Sequence, residues 1–338
     1  MAQVLGLTIL SFFITAILLV PFIDFLYKMK LQRQHQKTRD IFHKRTPLFD
    51  KHHAWKVGTP FGGGVLIIAV VSMLTIWAYG IFGIKIKPWE LFVLLFSFIG
   101  FGMLGLYDDI KKLVNGKKTA FFGLRFRHKF LIQWILAFII ALVMYYKLGY
   151  TFIFIHGFGL ATLGIVYVFF AAFIIVAFTN AFNIADGLDG LASGLLLICL
   201  GAFLAIASQQ LDEGLGIFIA VLMGSVMAFL YFNIYSARLW LGDVGSLSLG
   251  AALAVIGLLT GKTLALAVIG GVFVLEVGSS LIQILGKNFF GRKIFAAAPL
   301  HLYLQERGWE EPKIVMRAWL LGLLFAIIGL YLAFIKVG

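Results

Sequence analysis

Five aspartates stand where apolar segments of this sequence give way to polar loops, and they are the residues best placed to do chemistry. They are Asp108, Asp109, Asp186, Asp189 and Asp243. A carboxylate at a membrane boundary is costly to desolvate, so it marks a functional site by default. Clustered oxygen ligands without cysteine or paired histidine fit Mg²⁺, which takes one or two carboxylates while substrate phosphates and water complete its shell. The pattern predicts a Mg²⁺ site that holds a diphosphate.

One of the polar segments is more specific than the others. Asn183, Asp186 and Asp189 recur every third residue in an apolar surrounding, which places them on one helical face. Gly187 and Gly190 allow a ligand to approach the backbone closely, and a helix beginning here directs its positive end at an anion. The alternative is a loop that caps the next helix, for which one aspartate would suffice. We favour a phosphate-binding segment.

Asp108 and Asp109 are adjacent at the end of a predicted span, and two neighbouring carboxylates repel each other. A divalent cation, or a cationic neighbour such as Lys111 or Lys112, would relieve that repulsion. A solvated helix end is the alternative. The pair therefore favours a nearby cation.

Four further residues are candidates for substrate binding. Asp243 lies between glycines and could also be a helix N-cap, and Trp240 could stack on a base or simply sit at the membrane interface. The segment 56–64 offers Lys56 and glycine amides to phosphate oxygens, although such glycines also pack helices. His301 shares its loop with basic and aromatic residues, a mixture that suits a polar ligand.

The composition is that of a membrane protein. Of the 338 residues 62% are hydrophobic and 13% charged, with a mean hydropathy of +1.01, which excludes an ordinary soluble protein. The single cysteine, Cys199, excludes disulfides and cysteine-based metal sites. No basic residue precedes the first apolar run, so we expect that run to remain as a membrane helix. We predict one polytopic membrane domain over residues 1–338.

Apolar runs long enough to cross a bilayer predict an all-α integral membrane protein with ten transmembrane helices. The predicted spans are 4–26, 62–82, 89–106, 130–147, 160–181, 188–208, 215–234, 244–260, 263–286 and 315–336. An even number of spans puts both termini on the same side of the membrane.

The basic residues are divided unequally between the two sides. Twenty-three of the 28 Lys and Arg lie in the four loops on one side, 27–61, 107–129, 235–243 and 287–317. By the positive-inside rule that side is cytoplasmic and both termini are extracytoplasmic. The same distribution argues against a nucleic-acid-binding surface, because the basic residues are spread between apolar segments.

Along nearly its whole length the chain resembles the polyprenyl-phosphate N-acetylhexosamine-1-phosphate transferases, and among them the phospho-N-acetylmuramoyl-pentapeptide transferase family. The shared motifs are Lys56 with Gly58-Thr-Pro and Gly63-Gly, Asp108-Asp, Asn180-Ala-Phe-Asn-Ile-Ala-Asp-Gly-Leu-Asp-Gly-Leu, Gly242-Asp-Val-Gly-Ser-Leu, and Ile294-Phe followed by Ala298-Pro-Leu-His. The ending Gly308-Trp-Glu-Glu-Pro-Lys-Ile-Val-Met-Arg-Ala-Trp is similar to this subgroup rather than to relatives that use UDP-GlcNAc.

The resemblance implies a homodimer with an active site in a cytoplasmic cleft of the bacterial inner membrane. It implies transfer of phospho-MurNAc-pentapeptide from UDP-MurNAc-pentapeptide to the membrane lipid undecaprenyl phosphate, giving lipid I and UMP, with Mg²⁺ as cofactor. By this resemblance Asp243 is a metal ligand, and Asp108, beside Asp109, is the candidate base. Asn183, Asp186 and Asp189 surround the nucleotide and the metal. Lys56 contacts the diphosphate, and Trp240 takes the place of a phenylalanine near the uracil.

The sequence departs from the family pattern at two points. His301-Leu-Tyr stands where three consecutive histidines are usual, and Phe61-Gly replaces Thr-Met. We expect UDP-MurNAc-pentapeptide to remain the preferred substrate, with UDP-GlcNAc as the alternative. An ion-coupled transporter is a remote alternative, because its polar groups should lie near the bilayer midplane. An inactive scaffold of the same fold is a further alternative.

Overall fold

The structure is a computed structural model that describes residues 2–32, 56–83, 87–115, 126–155 and 159–335. Much of the two strongly basic loops predicted at 27–61 and 107–129 lies outside the described residues. The described elements are α1 Ala2–Lys28, α2 Gly63–Phe82, α3 Pro88–Asn115, α4 Phe126–Leu148, β1 Phe152–Ile155, β2 Gly159–Thr162, α5 Val166–Ala185, α6 Leu191–Gln209, α7 Glu213–Asn233, α8 Gly242–Leu259, α9 Thr263–Ile269, α10 Gly271–Phe290, α11 Leu300–Glu306 and α12 Glu311–Phe334.

The all-α membrane fold is confirmed. Within the described residues, ten helices are long and apolar enough to cross a membrane, one for each predicted span. Large apolar side chains are exposed on the outer helices, for example Ile17 on α1, Leu281 on α10 and Leu320 on α12. In water such a surface would aggregate, whereas a lipid bilayer covers it.

Three predicted boundaries are wrong. The span predicted from residue 160 begins at Val166, because β1 and β2 pair as an antiparallel hairpin just before it. The span predicted at 263–286 is divided at Gly270 into α9 and α10. A Cβ at Gly270 would lie 2.6 Å from the Phe178 ring, so the break allows α5 to approach closely. The third error concerns α3, which continues well past residue 106 and so contains Asp108 and Asp109.

Helix α8 lies at the centre of the bundle. Every residue from Val244 to Leu259 is buried, and the helix packs against α2, α3 and α5. Glycines make these contacts close: a Cβ at Gly64 would lie 2.2 Å from the Gly245 backbone, and one at Gly105 would lie 2.1 Å from the carbonyl oxygen of Asp243. The start of α8 is therefore fixed by backbone contact with its neighbours.

Candidate functional site

Two lysines and three aspartates from three helices form an ion cluster at one end of the bundle. Asp108, Asp109 and Lys112 come from α3, Lys129 from α4 and Asp243 from the first turn of α8. The Lys112 Nζ lies 2.7 Å from Asp243 Oδ2 and 3.2 Å from Asp108 Oδ2. The Lys129 Nζ contacts Asp243 Oδ2 directly and lies 3.1 Å from Asp108 Oδ2. The predicted convergence of these aspartates is thus present, with two ammonium groups between them.

Asp109 has a different environment from Asp108. The backbone N–H of Val244 donates to its Oδ2 at 3.1 Å, so Asp109 accepts one of the otherwise unpaired donors in the first turn of α8. A Cβ at Gly242 would lie 2.6 Å from the same oxygen. Asp109 therefore joins α3 to the start of α8, the turn that carries Asp243.

Asn183 reaches the cluster from the end of α5, and Asp186 follows three residues later. The Asn183 amide donates to Ser246 Oγ at 2.7 Å and to Asp243 Oδ1 at 3.5 Å. Asp186 follows the helix and is half-buried. Burial, and next the negative charge of Asp243, raise the pKa of Asp186 well above its ordinary value, while Lys56 opposes the shift. A cation beside these oxygens would stabilise the ionised carboxylate.

Lys56 is buried beneath the loop that follows Asp186. Its Nζ lies 2.8 Å from Asp189 Oδ1 and 2.6 Å from Glu311 Oε1 on α12, and it donates to the Gly187 carbonyl at 3.3 Å. Glu311 also accepts the backbone N–H of Asp189 at 2.6 Å. The ammonium is thus held by oxygens of the protein, and its predicted contact with a substrate diphosphate stays a prediction.

Asp189 and Trp240 are in direct contact. The Trp240 indole donates to Asp189 Oδ1 at 3.2 Å, and the backbone N–H of Ala237 donates to Oδ2 at 2.9 Å. The Lys56 Nζ lies 5.7 Å from the centre of a Trp240 ring, within cation–π range. This group therefore places an indole beside the loop of Asp186 and Asp189.

His301 lies in the first turn of α11, buried, with its Nδ1 2.9 Å from Glu276 Oε2 on α10. The structure thus brings together, at one end of the bundle, all nine side chains singled out from the sequence: Asp108, Asp109, Asp243, Lys56, Asn183, Asp186, Asp189, Trp240 and His301.

The oxygen-rich part of this site has side chains of the type that bind Mg²⁺. Among the residues that the structure describes, no three His, Cys, Asp or Glu side chains form a ready metal cage. Mg²⁺ does not need one, since one or two carboxylates suffice when phosphate oxygens and water complete its shell. Asp243, which accepts a hydrogen bond from Asn183, and Asp186, whose pKa is raised by the charge of Asp243, could supply oxygens to such a shell.

Sequence reasoning missed Lys129, Ser246, Glu276 and Glu311 as members of the site. Glu276 had a usable signal, because it is a single carboxylate in the middle of an apolar span. Lys129 and Glu311 stand at the starts of spans, where charged residues are ordinary. Ser246 becomes recognisable only through its bond to Asn183.

Comparison with known proteins gives a consistent set of relatives. A family described as glycosyl transferase family 4 matches residues 91–261. The phospho-N-acetylmuramoyl-pentapeptide-transferase of Bacillus pumilus (strain SAFR-032) is 36% identical over 332 residues, 98% of each chain. The enzymes of the same name from Geobacillus thermodenitrificans (strain NG80-2) and Bacillus subtilis (strain 168) are each 37% identical, over 95% and 98% of each chain respectively.

Proposed function

This chain belongs to glycosyl transferase family 4 and, within it, to the phospho-N-acetylmuramoyl-pentapeptide transferases, and from that membership we propose its reaction. It transfers phospho-MurNAc-pentapeptide from UDP-MurNAc-pentapeptide to undecaprenyl phosphate, a step of peptidoglycan synthesis. The observation that supports this chemistry best is the cluster of Asp108, Asp243, Lys112 and Lys129, which sets cations and carboxylates around one point.

In the proposed reaction an oxygen of the undecaprenyl phosphate attacks the β-phosphorus of the UDP-sugar. A new P–O bond forms, the bond from the β-phosphorus to the bridging oxygen breaks, and UMP leaves with that oxygen. The products are lipid I and UMP. Phosphoryl transfer depends chiefly on positioning and charge stabilisation, which the ammonium groups of Lys112 and Lys129 are placed to supply.

Asp108 is the proposed base, although its part in proton transfer is small. The second pKa of a phosphate monoester is about 6, so near neutral pH only a minority of the lipid phosphate still carries a proton. Asp108 would accept that proton or orient the attacking oxygen. Asp109 contributes by holding the first turn of α8 in place.

We propose Mg²⁺ as the cofactor, held by Asp243 with Asn183 and Asp186 beside it. When bound, Mg²⁺ would neutralise charge on the diphosphate. The site keeps room for a cation, because the positive charges of Lys112 and Lys129 offset the charges of only two of its four carboxylates, Asp108, Asp109, Asp186 and Asp243.

The site is proposed to face the cytoplasm of a bacterial cell membrane. The loops on the side of the site hold 23 of the 28 Lys and Arg, and such an excess marks the cytoplasmic side of a membrane protein. The contacts of Asp243 support this side, because they join the end of α3, the end of α5 and the start of α8. In a protein whose ten spans cross the membrane in alternating directions, these three helix ends lie on the same side. Assembly as a homodimer is proposed from the family resemblance alone.

The decisive experiment is a substrate competition with the purified protein, undecaprenyl phosphate and Mg²⁺. We expect UDP-MurNAc-pentapeptide to be consumed with release of UMP, in preference to UDP-GlcNAc. A clear preference for UDP-GlcNAc would move the chain to the GlcNAc-1-phosphate transferases. Release of UMP from neither substrate would reject the proposed function.

A further inference from the structure

Glu276 is a buried carboxylate in the second turn of α10, and its partner is His301. Both side chains are almost fully buried, at 4% exposure for Glu276 and 2% for His301. The His301 Nδ1 lies 2.9 Å from Glu276 Oε2, and the backbone N–H of His301 donates to the same oxygen at 3.5 Å. Charged residues inside apolar spans are costly and are kept where they interact with a partner. The partner here is a residue of the proposed substrate site.

This contact determines which ring nitrogen of His301 carries the proton. An ionised carboxylate only accepts hydrogen bonds, so the Nδ1 that faces Glu276 must be the donor. In the neutral ring Nε2 is then an acceptor, because the hydrogen bond at one nitrogen sets the state of the other. The backbone N–H of His301, which also points at Glu276, agrees with an accepting oxygen.

The other side of the ring lies against the loop that carries the site aspartates. A Cβ at Gly187 would be 2.7 Å from Nε2 and 3.1 Å from Cε1 of His301. Gly187 follows Asp186 directly, and its carbonyl accepts from Lys56 at 3.3 Å. The ring thus stands between Glu276 on one side and the loop after α5 on the other, with Nε2 directed towards the site.

We propose that Glu276 is a positioning residue that acts through His301. It holds the imidazole in the Nδ1–H form and presents Nε2 as an acceptor beside the loop of Asp186, ready for an N–H or O–H donor of the substrate. The inference rests on the proposed transferase function, because it needs a substrate in this site. The alternative is that Glu276 only ties α11 to α10.

The test is a double-mutant cycle with a conservative variant. Glu276→Ala should lower kcat/KM for UDP-MurNAc-pentapeptide by about ten- to a hundredfold, the effect expected when a buried hydrogen bond to a charged group is lost. Glu276→Gln should recover to within about threefold of the wild type, because the amide oxygen still accepts from Nδ1. In a His301→Ala background, Glu276→Ala should cost less than about twofold more, since its partner is already absent.

Gln283 provides the matched control. It lies two turns further along α10, is also buried, and accepts from the backbone N–H groups of Ile294 and Phe295 at 3.0 and 2.9 Å. Gln283→Ala should lower the Tm like Glu276→Ala. Its effect on kcat/KM should remain when His301→Ala is added.

Three results would overturn the proposal. One is an effect of Glu276→Ala that multiplies fully with that of His301→Ala. The second is a Glu276→Gln variant as impaired as Glu276→Ala, and the third is a loss of the Gln283→Ala effect in the same background. Failure of the function itself is recognised separately, because the wild type would then release no UMP. Even in that case, the ¹⁵N NMR spectrum of the His301 ring in the wild type should show the proton on Nδ1. In Glu276→Ala the signals of this ring should change.

Discussion

Replacement of Gly105 by alanine should move the α3 residues of the ion cluster away from Asp243 on α8. A Cβ at this position would lie 2.1 Å from the Asp243 carbonyl oxygen, 2.4 Å from its carbonyl carbon and 2.5 Å from the Val244 nitrogen. All three atoms are backbone, so no side-chain rotation can make room. An ordinary contact begins at 3.4 Å, and α3 and α8 must therefore move apart by about 1.3 Å.

That displacement acts directly on the site. The bond from the Val244 N–H to Asp109 is 3.1 Å long and would exceed 4 Å, beyond hydrogen-bonding distance. A misplacement of about 1 Å in an active site can cost about 100-fold in rate, and we expect kcat to fall by about that factor. Overpacking should also cost about 1–3 kcal/mol of stability, partly offset by the ~0.5–1 kcal/mol helical preference of alanine over glycine.

The assay is UMP release by folded protein purified by size exclusion, together with the Tm in detergent. Gly100→Ala is the control on the same helix, because its Cβ would meet only the Leu136 side chain at 3.7 Å, an ordinary contact. We expect that variant to behave like the wild type. Retention of activity within threefold in Gly105→Ala would refute the idea that backbone contact between α3 and α8 positions Asp243.

Three further predictions address the metal, the topology and the substrate. EDTA should abolish UMP release reversibly, and Asp243→Asn should be inactive although it folds, because the proposed Mg²⁺ ligand is lost; full turnover in EDTA would contradict this. In intact cells an impermeant thiol reagent should label a cysteine placed at the exposed Gln209 but not one at the exposed Arg292, and the reverse pattern would invert the membrane orientation. His301→Ala should reduce turnover more than Tyr303→Phe, because His301 is buried in the site whereas the Tyr303 hydroxyl makes an exposed hydrogen bond; equal losses in kcat/KM would count against it.

The spans and the convergence of the aspartates could be predicted from the sequence because both follow from hydrophobicity. Apolar runs of bilayer length identify the helices, and their alternation brings Asp108, Asp186 and Asp243 to one side. The end of α3 could not be predicted in this way. The apolar pattern stops near residue 106, but the helix continues to Asn115, and its polar last turns carry the α3 residues of the ion cluster.

The contacts that complete the site depend on long-range packing and have no local pattern. Lys129 meets Asp243 over a separation of 114 residues, and Lys56 meets Glu311 over 255. The hairpin was also missed, since a run such as Phe-Ile-Phe-Ile at 152–155 is too short and too apolar to distinguish strand from helix. The single-domain organisation and the roles of the individual site residues stay predictions.

The bond between Lys56 and Glu311 has a consequence for how the protein is made. Glu311 begins α12, and from the same helix the Trp319 indole donates to the Gly190 carbonyl at 3.2 Å. Both residues secure the loop that contains Asp189. A ribosome that has delivered α1 to α10 into the membrane has therefore produced a bundle whose loop still lacks this support. We expect nascent chains arrested before α12 to have no transferase activity. Catalysis should therefore begin only after the final span has been inserted.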